Sequence, residues 1–362
     1  MIFTGGHHTG SLAVAAALGQ KGWNIIWLGH RYSQWKDRSD SAEYREVTAA
    51  GIRFVNLKAG KLYRTYNPLK LLRLPLGFIQ AFIILLKLRL RLKSDLRGIV
   101  SSGGYLGIPV VICGWLLGIP AISHEQTVSA GWANRVIALF ARKIAISWPE
   151  SAVHFPGSKT VFTGLPLRPE IVRSLNTPVR RNPDLIYVTG GKQGSHIINM
   201  VIFSVLPKLL NNFRVVHQTG SSTVYSDHAK ALQISEQLPE KLKKKYAVYD
   251  YLDARFAAKF LSTAGVVISR AGAHIIQELM VLGTPSVLIP ISWSSHSEQL
   301  KNAQVLAGIR LAVILPEDQL NAANLLTAIA SARKLKPAGY SVSTEGLEHL
   351  VQLIEAEFGQ PV

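Results

Sequence analysis

Two glycine-rich turns half a chain apart constrain this sequence most. The first is Thr4-Gly5-Gly6-His7-His8-Thr9-Gly10-Ser11, and the second is Thr189-Gly190-Gly191-Lys192-Gln193-Gly194-Ser195. Each follows a short apolar run, Met1 to Phe3 or Leu185 to Val188, and opens a helical pattern, Leu12 to Leu18 or Ile197 to Leu210. Strand, glycine turn and helix in that order bring backbone N–H groups and a helix N-terminus up to a phosphate or sugar in a parallel α/β sheet. The repetition predicts two nucleotide-fold domains whose parallel sheets face a central cleft. Neither turn has the G-x-G-x-x-G dinucleotide spacing or a Gly-Lys-Ser/Thr phosphate loop, which points away from NAD enzymes and P-loop ATPases.

Strands and helices alternate along both halves, as parallel sheets with right-handed crossovers require. A third glycine turn, Ser102-Gly103-Gly104-Tyr105, follows the strand Gly98 to Ser101, and a helix is expected over Pro109 to Leu117. Gly164-Leu165-Pro166-Leu167-Arg168-Pro169 reads as a linker, because the alternation restarts after it. The expected division is therefore residues 1–164, residues 165–344, and a terminal helix in 345–362 packing back on the first domain. The 362 residues suffice for two domains, and 48% hydrophobic with 17% charged residues indicates a folded chain. The single cysteine, Cys113, excludes an internal disulfide framework and a cysteine-built metal site, and fits a reducing cytosol. No signal peptide is expected, since Met1 runs straight into a strand; that strand is short, as expected if the native start lies upstream or the edge is frayed.

A net charge of +18 calls for an anionic partner. No zinc spacing, RNA-binding aromatic motif or basic recognition helix is present, so nucleic acid is not the expected one. Residues 61–93 form a basic, apolar block, with Leu74, Phe78, Phe82 and Ile83 among its apolar members and Lys87, Arg89, Arg91 and Lys93 following. Its apolar part falls short of the roughly 20 residues of a spanning helix. Two readings remain: an interfacial element on an anionic leaflet, or a buried crossover helix with solvated basic ends.

Chemistry-bearing residues gather at the predicted strand ends. His7 and His8 sit in the first turn, where an imidazole titrates near neutral pH and can contact a phosphate or hydroxyl. His124-Glu125-Gln126-Thr127 ends a strand, and Glu125 there is either a sugar ligand or base, or a capping carboxylate. Arg270-Ala271-Gly272-Ala273 opens a helix that carries Glu278, suited to a pair of ribose hydroxyls. Ser295, His296, Glu298, Gln299 and Asn302 supply groups able to read sugar hydroxyls.

Taken in order, these residues resemble the MurG family. The resemblance covers Thr4-Gly5-Gly6-His7, Gly103-Gly104-Tyr105, His124-Glu125-Gln126, Gly164-x-Pro166-x-Arg168, Gly190-Gly191-x-Gln193-Gly194, His217-Gln218-Thr219-Gly220, Arg270-x-Gly272-Ala273, Glu278 and Gln299-x-x-Asn302-Ala303. It implies the two-domain GT-B fold and inverting transfer of N-acetylglucosamine from UDP-GlcNAc to lipid I at the cytoplasmic face of the membrane, giving lipid II. No cofactor and no dedicated metal site is implied. By the resemblance, His7 is the essential loop histidine, and His7 and Glu125 are the candidates for the base. Tyr105, His124, Gln126 and Thr127 face the acceptor. Gly5, Gly6, Arg168, Gly191, Lys192, Gln193 and Ala273 lie on the donor side, with Glu278 on the ribose and Glu298 and Gln299 on the GlcNAc hydroxyls.

The chain departs from the family pattern at several places. The first loop is shortened, and His8-Thr9-Gly10 replaces apolar residues and a proline. Thr127 and Leu165 stand where asparagines are usual, Lys192 where a serine is, and Glu298 where an amide or histidine is. Three other readings stay open at this point: transfer to another membrane lipid, epimerisation of UDP-GlcNAc, and a non-catalytic nucleotide-sugar-binding membrane partner.

Overall fold

The computed structural model describes residues 1–6, 8–32, 40–58, 73–177, 180–292, 297–340 and 342–361, with only the backbone of residues 73 and 74. The chain divides into two compact units, Met1–Leu167 with Ser343–Val362, and Arg168–Val342.

The first unit is built on seven parallel strands: β1 (Ile2–Thr4), β2 (Ile26–Gly29), β3 (Arg53–Asn56), β4 (Ile99–Ser101), β5 (Ala121–Glu125), β6 (Lys143–Ile146) and β7 (Thr160–Phe162), in the order β3-β2-β1-β4-β5-β6-β7. Its helices are α1 (His8–Gln20), α2 (Ala42–Ala49), α3 (Arg73–Leu92), α4 (Gly104–Leu116) and α5 (Trp132–Phe140). One face of the sheet packs Ile2, Leu28 and Ile99 under α3, α4 and α5 through Leu85, Val110 and Ile137. The helix after the third glycine turn begins at Gly104 rather than at Pro109, and Pro109 lies inside it, where it gives up one backbone N–H bond.

The second unit has six parallel strands: β8 (Asn182–Thr189), β9 (Arg214–Gln218), β10 (Tyr246–Tyr249), β11 (Ala264–Ser269), β12 (Ser286–Leu288) and β13 (Ala312–Ile314), in the order β10-β9-β8-β11-β12-β13. Its helices are α6 (Pro169–Leu175), α7 (His196–Asn212), α8 (Asp227–Gln237), α9 (Glu240–Lys243), α10 (Ala254–Thr263), α11 (Ala273–Leu282), α12 (Glu298–Gly308) and α13 (Ala322–Ala332). The last helix, α14 (Gly346–Phe358), returns to the first unit, where Leu350, Ile354 and Phe358 join Phe3, Val14 and Trp27. Gly98 makes room for it, since a Cβ there would lie 2.5 Å from the Phe358 ring.

In each sheet the strand order reverses once, between β1 and β4 and between β8 and β11. Such switch points leave a crevice beyond the strand C-termini. The glycine turns predicted from sequence flank these points. They do so through contacts that exclude side chains. In the first unit a Cβ on Gly5 would lie 2.3 Å from Ser102 Oγ, and the Gly6 N–H donates to the Gly103 carbonyl at 3.1 Å. In the second unit Gly194 (φ +81°) would place a Cβ 1.9 Å from the Thr219 carbonyl oxygen. Gly191 also has positive φ (+86°), but open space lies beyond it. Gly194→Ala is therefore expected to destabilise the second unit by at least about 3 kcal/mol, and Gly191→Ala by roughly 1–2 kcal/mol. Denaturant unfolding of both variants checks the contrast; equal losses would mean backbone conformation alone, not the contact with Thr219, decides the cost.

Candidate active site

At the first switch point, Thr4 and Ser101 end β1 and β4 in register with Ser123, which lies two residues before the end of β5, so a row of buried hydroxyls crosses the three strands. His7 lies outside the described residues. Its neighbour His8 opens α1 and pairs with Glu46 of α2, Nε2 to Oε2 at 3.1 Å. Gly103 and Gly104 both have positive φ, and a Cβ on Gly103 would lie 2.2 Å from the side-chain oxygen of Asn134. Tyr105 then packs its ring against His30, with centroids 5.6 Å apart.

Glu125 is the last residue of β5 and is buried. Its Oε1 accepts the Thr127 N–H at 3.0 Å, and its Oε2 accepts the Gly131 N–H at 3.2 Å and the Asn134 amide at 2.8 Å. The Thr127 hydroxyl, 2.8 Å from Oε1 and 2.7 Å from the Ser129 carbonyl, has one proton to share between them. A carboxylate offers about four lone-pair positions, so these donors nearly fill it. Gly131 is the N-cap of α5, so the charge also meets the positive end of that helix. Of the two chemistries open to Glu125 in the sequence, this geometry is that of the capping carboxylate. Asn134, which sequence reasoning did not single out, bridges Ser123, Glu125 and the Gly103 turn. Its placement in the first turn of a helix after a glycine was the only signal available.

His124 alternates to the other side of β5 and is buried, with Nε2 2.9 Å from Ser147 Oγ. Gln126 and Thr127 are buried as well, and the Gln126 carbonyl accepts the Trp148 indole N–H at 3.2 Å. The predicted acceptor motif is thus a tightly bonded loop. Glu43, not foreseen from sequence, accepts the Trp27 indole N–H at 2.7 Å and the His30 N–H at 3.3 Å. Burial pushes its carboxyl up to about 7, against the pull of those two donors.

At the second switch point, Arg168 and Glu278 form a two-pronged ion pair, Nε to Oε1 at 2.6 Å and Nη2 to Oε2 at 2.7 Å. Burial opposes the Arg168 charge, and the Glu278 carboxylate more than offsets this, holding the guanidinium above its ordinary value. Arg270 reaches from the end of β11 to Ser195 Oγ (3.1 Å), to the Ile289 carbonyl (3.2 Å) and to Glu317, tying three loops together. Ala273 is the first residue of α11, and neither α11 nor α7 has a side-chain cap at its N-terminus. Lys192 and Gln193 form the turn between Gly191 and Gly194; the Lys192 carbonyl accepts the Ser221 N–H at 3.1 Å. Gln218 holds this turn from below, donating to the Gly191 carbonyl at 3.3 Å while accepting from the Tyr187 hydroxyl at 2.9 Å.

Behind the turn, Asn199 donates to the Thr219 carbonyl and to Asp227, which leaves its oxygen for His217 Nε2 at 3.0 Å. His217 therefore carries its proton on Nε2 and accepts the Tyr246 hydroxyl on Nδ1, 2.9 Å away. Burial pushes this imidazole down to about 3, so it is neutral and structural. Glu298 opens α12, and Gln299 Oε1 accepts the Ile291 N–H at 3.1 Å. Ser295 and His296 lie outside the described residues.

Of the predicted membrane residues, Phe82 and Ile83 are exposed on α3, and the Leu74 side chain lies outside the description. Phe78 is a correction: it is packed against the core, on the side of α3 that buries Ala81, Leu85 and Leu88. Helical spacing instead puts Leu76, Ile79 and Leu90 on the outer face. One face of this segment is thus core, as the crossover-helix reading expects, and the other is apolar and exposed. Among the described residues no helix is long and apolar enough to cross a membrane.

Both units thus carry glycine turns at the switch points of parallel sheets, and the second adds uncapped helix N-termini and an arginine–glutamate pair, a setting suited to an anionic ligand. Residues 2–146 match the glycosyltransferase family 28 N-terminal domain and residues 185–356 its C-terminal domain. A Bacillus cereus protein named UDP-N-acetylglucosamine--N-acetylmuramyl-(pentapeptide) pyrophosphoryl-undecaprenol N-acetylglucosamine transferase 2 is 31% identical over 90% of this chain and 89% of its own. A Clostridium botulinum (strain Kyoto / Type A2) transferase named likewise, without the final numeral, is 30% identical over 89% and 86%. The chain belongs to the MurG family of these glycosyltransferases. In fold it is similar to the crystal structure of Acinetobacter baumannii MurG, with a TM-score of 0.63, 23% identity and 98% of each chain covered. It is also similar to the UDP-GlcNAc 2-epimerase of Methanocaldococcus jannaschii, with a TM-score of 0.59, 12% identity, and 98% and 99% covered.

The bonding of Glu125 yields a direct test. Glu125→Gln places an amide N–H where Oε1 or Oε2 now accepts, and is expected to cost about 1–3 kcal/mol of stability in the first unit. Thermal unfolding checks this. An unchanged melting temperature with activity lost would return Glu125 to the role of base.

Proposed function

We propose that this chain is an inverting glycosyltransferase that takes GlcNAc from UDP-GlcNAc and joins it to lipid I, the undecaprenyl-pyrophosphoryl N-acetylmuramyl peptide, to give lipid II of peptidoglycan synthesis. The observation that carries the reading is the Arg168–Glu278 pair beside the uncapped N-terminus of α11, in a chain 31% identical to a relative named for this transfer. Arg168 occupies one lone pair on each Glu278 oxygen, and the remaining positions suit the two ribose hydroxyls. The N-termini of α7 and α11 offer N–H groups and dipole to the diphosphate. Gly191, with open space beyond it, lets the phosphates approach, and Lys192 adds charge where the departing UDP becomes more negative. Ala273 and Gln193 border that position, and Glu298 and Gln299 take the sugar hydroxyls.

On the acceptor side, Gly5 and Gly6 shape the loop, and His7 is the base that removes the proton of the acceptor hydroxyl. The nearly filled lone pairs of Glu125 favour His7 over it and make Glu125 the anchor of the loop. Tyr105 lines the acceptor face, the buried Gln126 and Thr127 shape the loop behind it, and His124 supports it from beneath through Ser147. Transfer to a different membrane lipid is the second reading; it rests on Thr127 and Leu165, which stand where the family pattern has asparagine.

The same reading sets the outer face of α3 on the anionic cytoplasmic surface of the membrane. Leu76, Ile79, Phe82 and Ile83 are exposed there, with Lys87 and Arg91 further along the helix. Trp115 and Leu116 are exposed on α4, which packs against α3, and Trp132 and Leu139 on α5, which packs against α4. An apolar area rimmed by cations suits an anionic leaflet.

The purified protein is expected to move labelled GlcNAc from UDP-GlcNAc to a short-chain lipid I analogue, and His7→Ala to form no product while still binding UDP. Absence of product from the unmodified protein, with UDP binding intact, would redirect the acceptor to another lipid. Replacing Ile79, Phe82 and Ile83 together by serine is expected to release the protein from anionic vesicles in a sedimentation assay without loss of UDP binding. Vesicle binding that survives the change would remove α3 from the membrane contact.

A further inference from the structure

Three loops at the first switch point are each tied, directly or through one neighbour, to α2. Glu43 and Glu46 lie three residues apart, hence on one side of this helix. Glu46 Oε2 meets His8 Nε2 at 3.1 Å, with the two side chains only 22% and 15% exposed. Glu43 accepts the N–H of His30 at the end of β2, and Gly29 leaves it the space, since a Cβ there would lie 2.6 Å from Oε1. The His30 ring in turn lies against Tyr105 at the start of α4.

His8 follows His7 in the chain and is the first residue of α1. Glu46 holds this first residue of the helix through the 3.1 Å contact between Oε2 and His8 Nε2. The need for such a tie is local. A proline in the first helical turn would fix the backbone there. This chain instead has His8-Thr9-Gly10, and glycine loosens the backbone. A side-chain contact to a neighbouring helix restores the restraint that the backbone lacks.

We propose that α2 positions the acceptor side of the site, Glu46 by holding His8 and with it the start of the helix that follows His7, and Glu43 by holding His30 against Tyr105. His8, Glu43 and Glu46 are positioning residues. The inference rests on the reading of His7 and Tyr105 as acceptor-side residues.

A double-mutant cycle tests it, with His8→Ala, Glu46→Ala, both together, and Glu46→Gln as the conservative variant. Initial rates are measured against UDP-GlcNAc and a short-chain lipid I analogue separately. Each alanine variant is expected to lower kcat by about tenfold or more, within the roughly hundredfold that a ~1 Å misplacement costs. The double variant is expected to be no worse than the singles. The KM for UDP-GlcNAc is expected to stay unchanged, and Glu46→Gln, which can still accept a hydrogen bond, to recover part of the loss. Additive losses, or an equal shift in the donor KM, would overturn the proposal. Should His8→Ala unfold, the Glu46 pair of variants carries the test alone. An unmodified protein that transfers nothing to the analogue would instead overturn the acceptor reading beneath it. Transfer by the unmodified protein with all variants equal to it would overturn only the role of α2.

Discussion

The close approach of backbone to backbone at the two switch points is the constraint on which the rest of this protein depends. Gly6 hydrogen-bonds Gly103, and Gly194 and Gly220 approach so closely that a Cβ on Gly220 would lie 2.2 Å from the Gly194 backbone. No side chain fits between these loops. Their amide groups are thereby held at the rim by main-chain geometry, which does not depend on rotamers. A sugar diphosphate carries its charge on oxygens that backbone N–H groups and helix N-termini can meet directly. Glycines at these positions thus serve packing first, and ligand approach as a consequence.

Buried charges brace the loops that glycine leaves without side chains. Glu125 gathers the chain from Thr127 to Asn134, Arg168 and Glu278 join the start of the second unit to α11, and Arg270 ties β11 to Ser195 and Glu317. Buried ion pairs gain little net stability, because desolvation offsets attraction, but losing one partner leaves the other charge exposed to a low dielectric. Such pairs therefore act as registry devices: they penalise every loop position except the one that satisfies both partners. His217 shows the neutral version, an imidazole kept uncharged by burial and fixed in one tautomer by Asn199 and Tyr246. A motif histidine or carboxylate that looks reactive in a sequence can be spent in this way.

That difference marks what the sequence made legible. Period and turn chemistry placed β1, β4 and β8 within a few residues, because parallel strands buried on both faces read as apolar runs between glycine turns. The residues at the strand ends were also foreseen, since the fold puts loop chemistry there. What sequence could not supply was orientation. His124 and Glu125 are adjacent in β5, yet the pleat sends one toward Ser147 and the other toward Asn134. Phe78 and Ile79 are adjacent in α3, yet only Ile79 is exposed. Asn134, Glu43 and Glu46 were missed because their partners lie on other elements, and no local pattern announces a contact to another helix or loop.

Fold alone does not choose the chemistry. The same architecture is similar to a MurG and to UDP-GlcNAc 2-epimerases at nearly the same TM-score, 0.63 and 0.59 to 0.60. The choice between such chemistries therefore rests on residues and surfaces, not on the architecture. A soluble sugar nucleotide needs no apolar rim, whereas an acceptor on a polyprenyl chain is confined to a bilayer and demands one. The exposed apolar faces of α3, α4 and α5 carry a solvation cost that an enzyme acting only on soluble sugars would have no reason to keep. Identity of 31% over nine-tenths of the chain shows the family, and the exposed apolar surface is the feature that the membrane contact proposed above would explain.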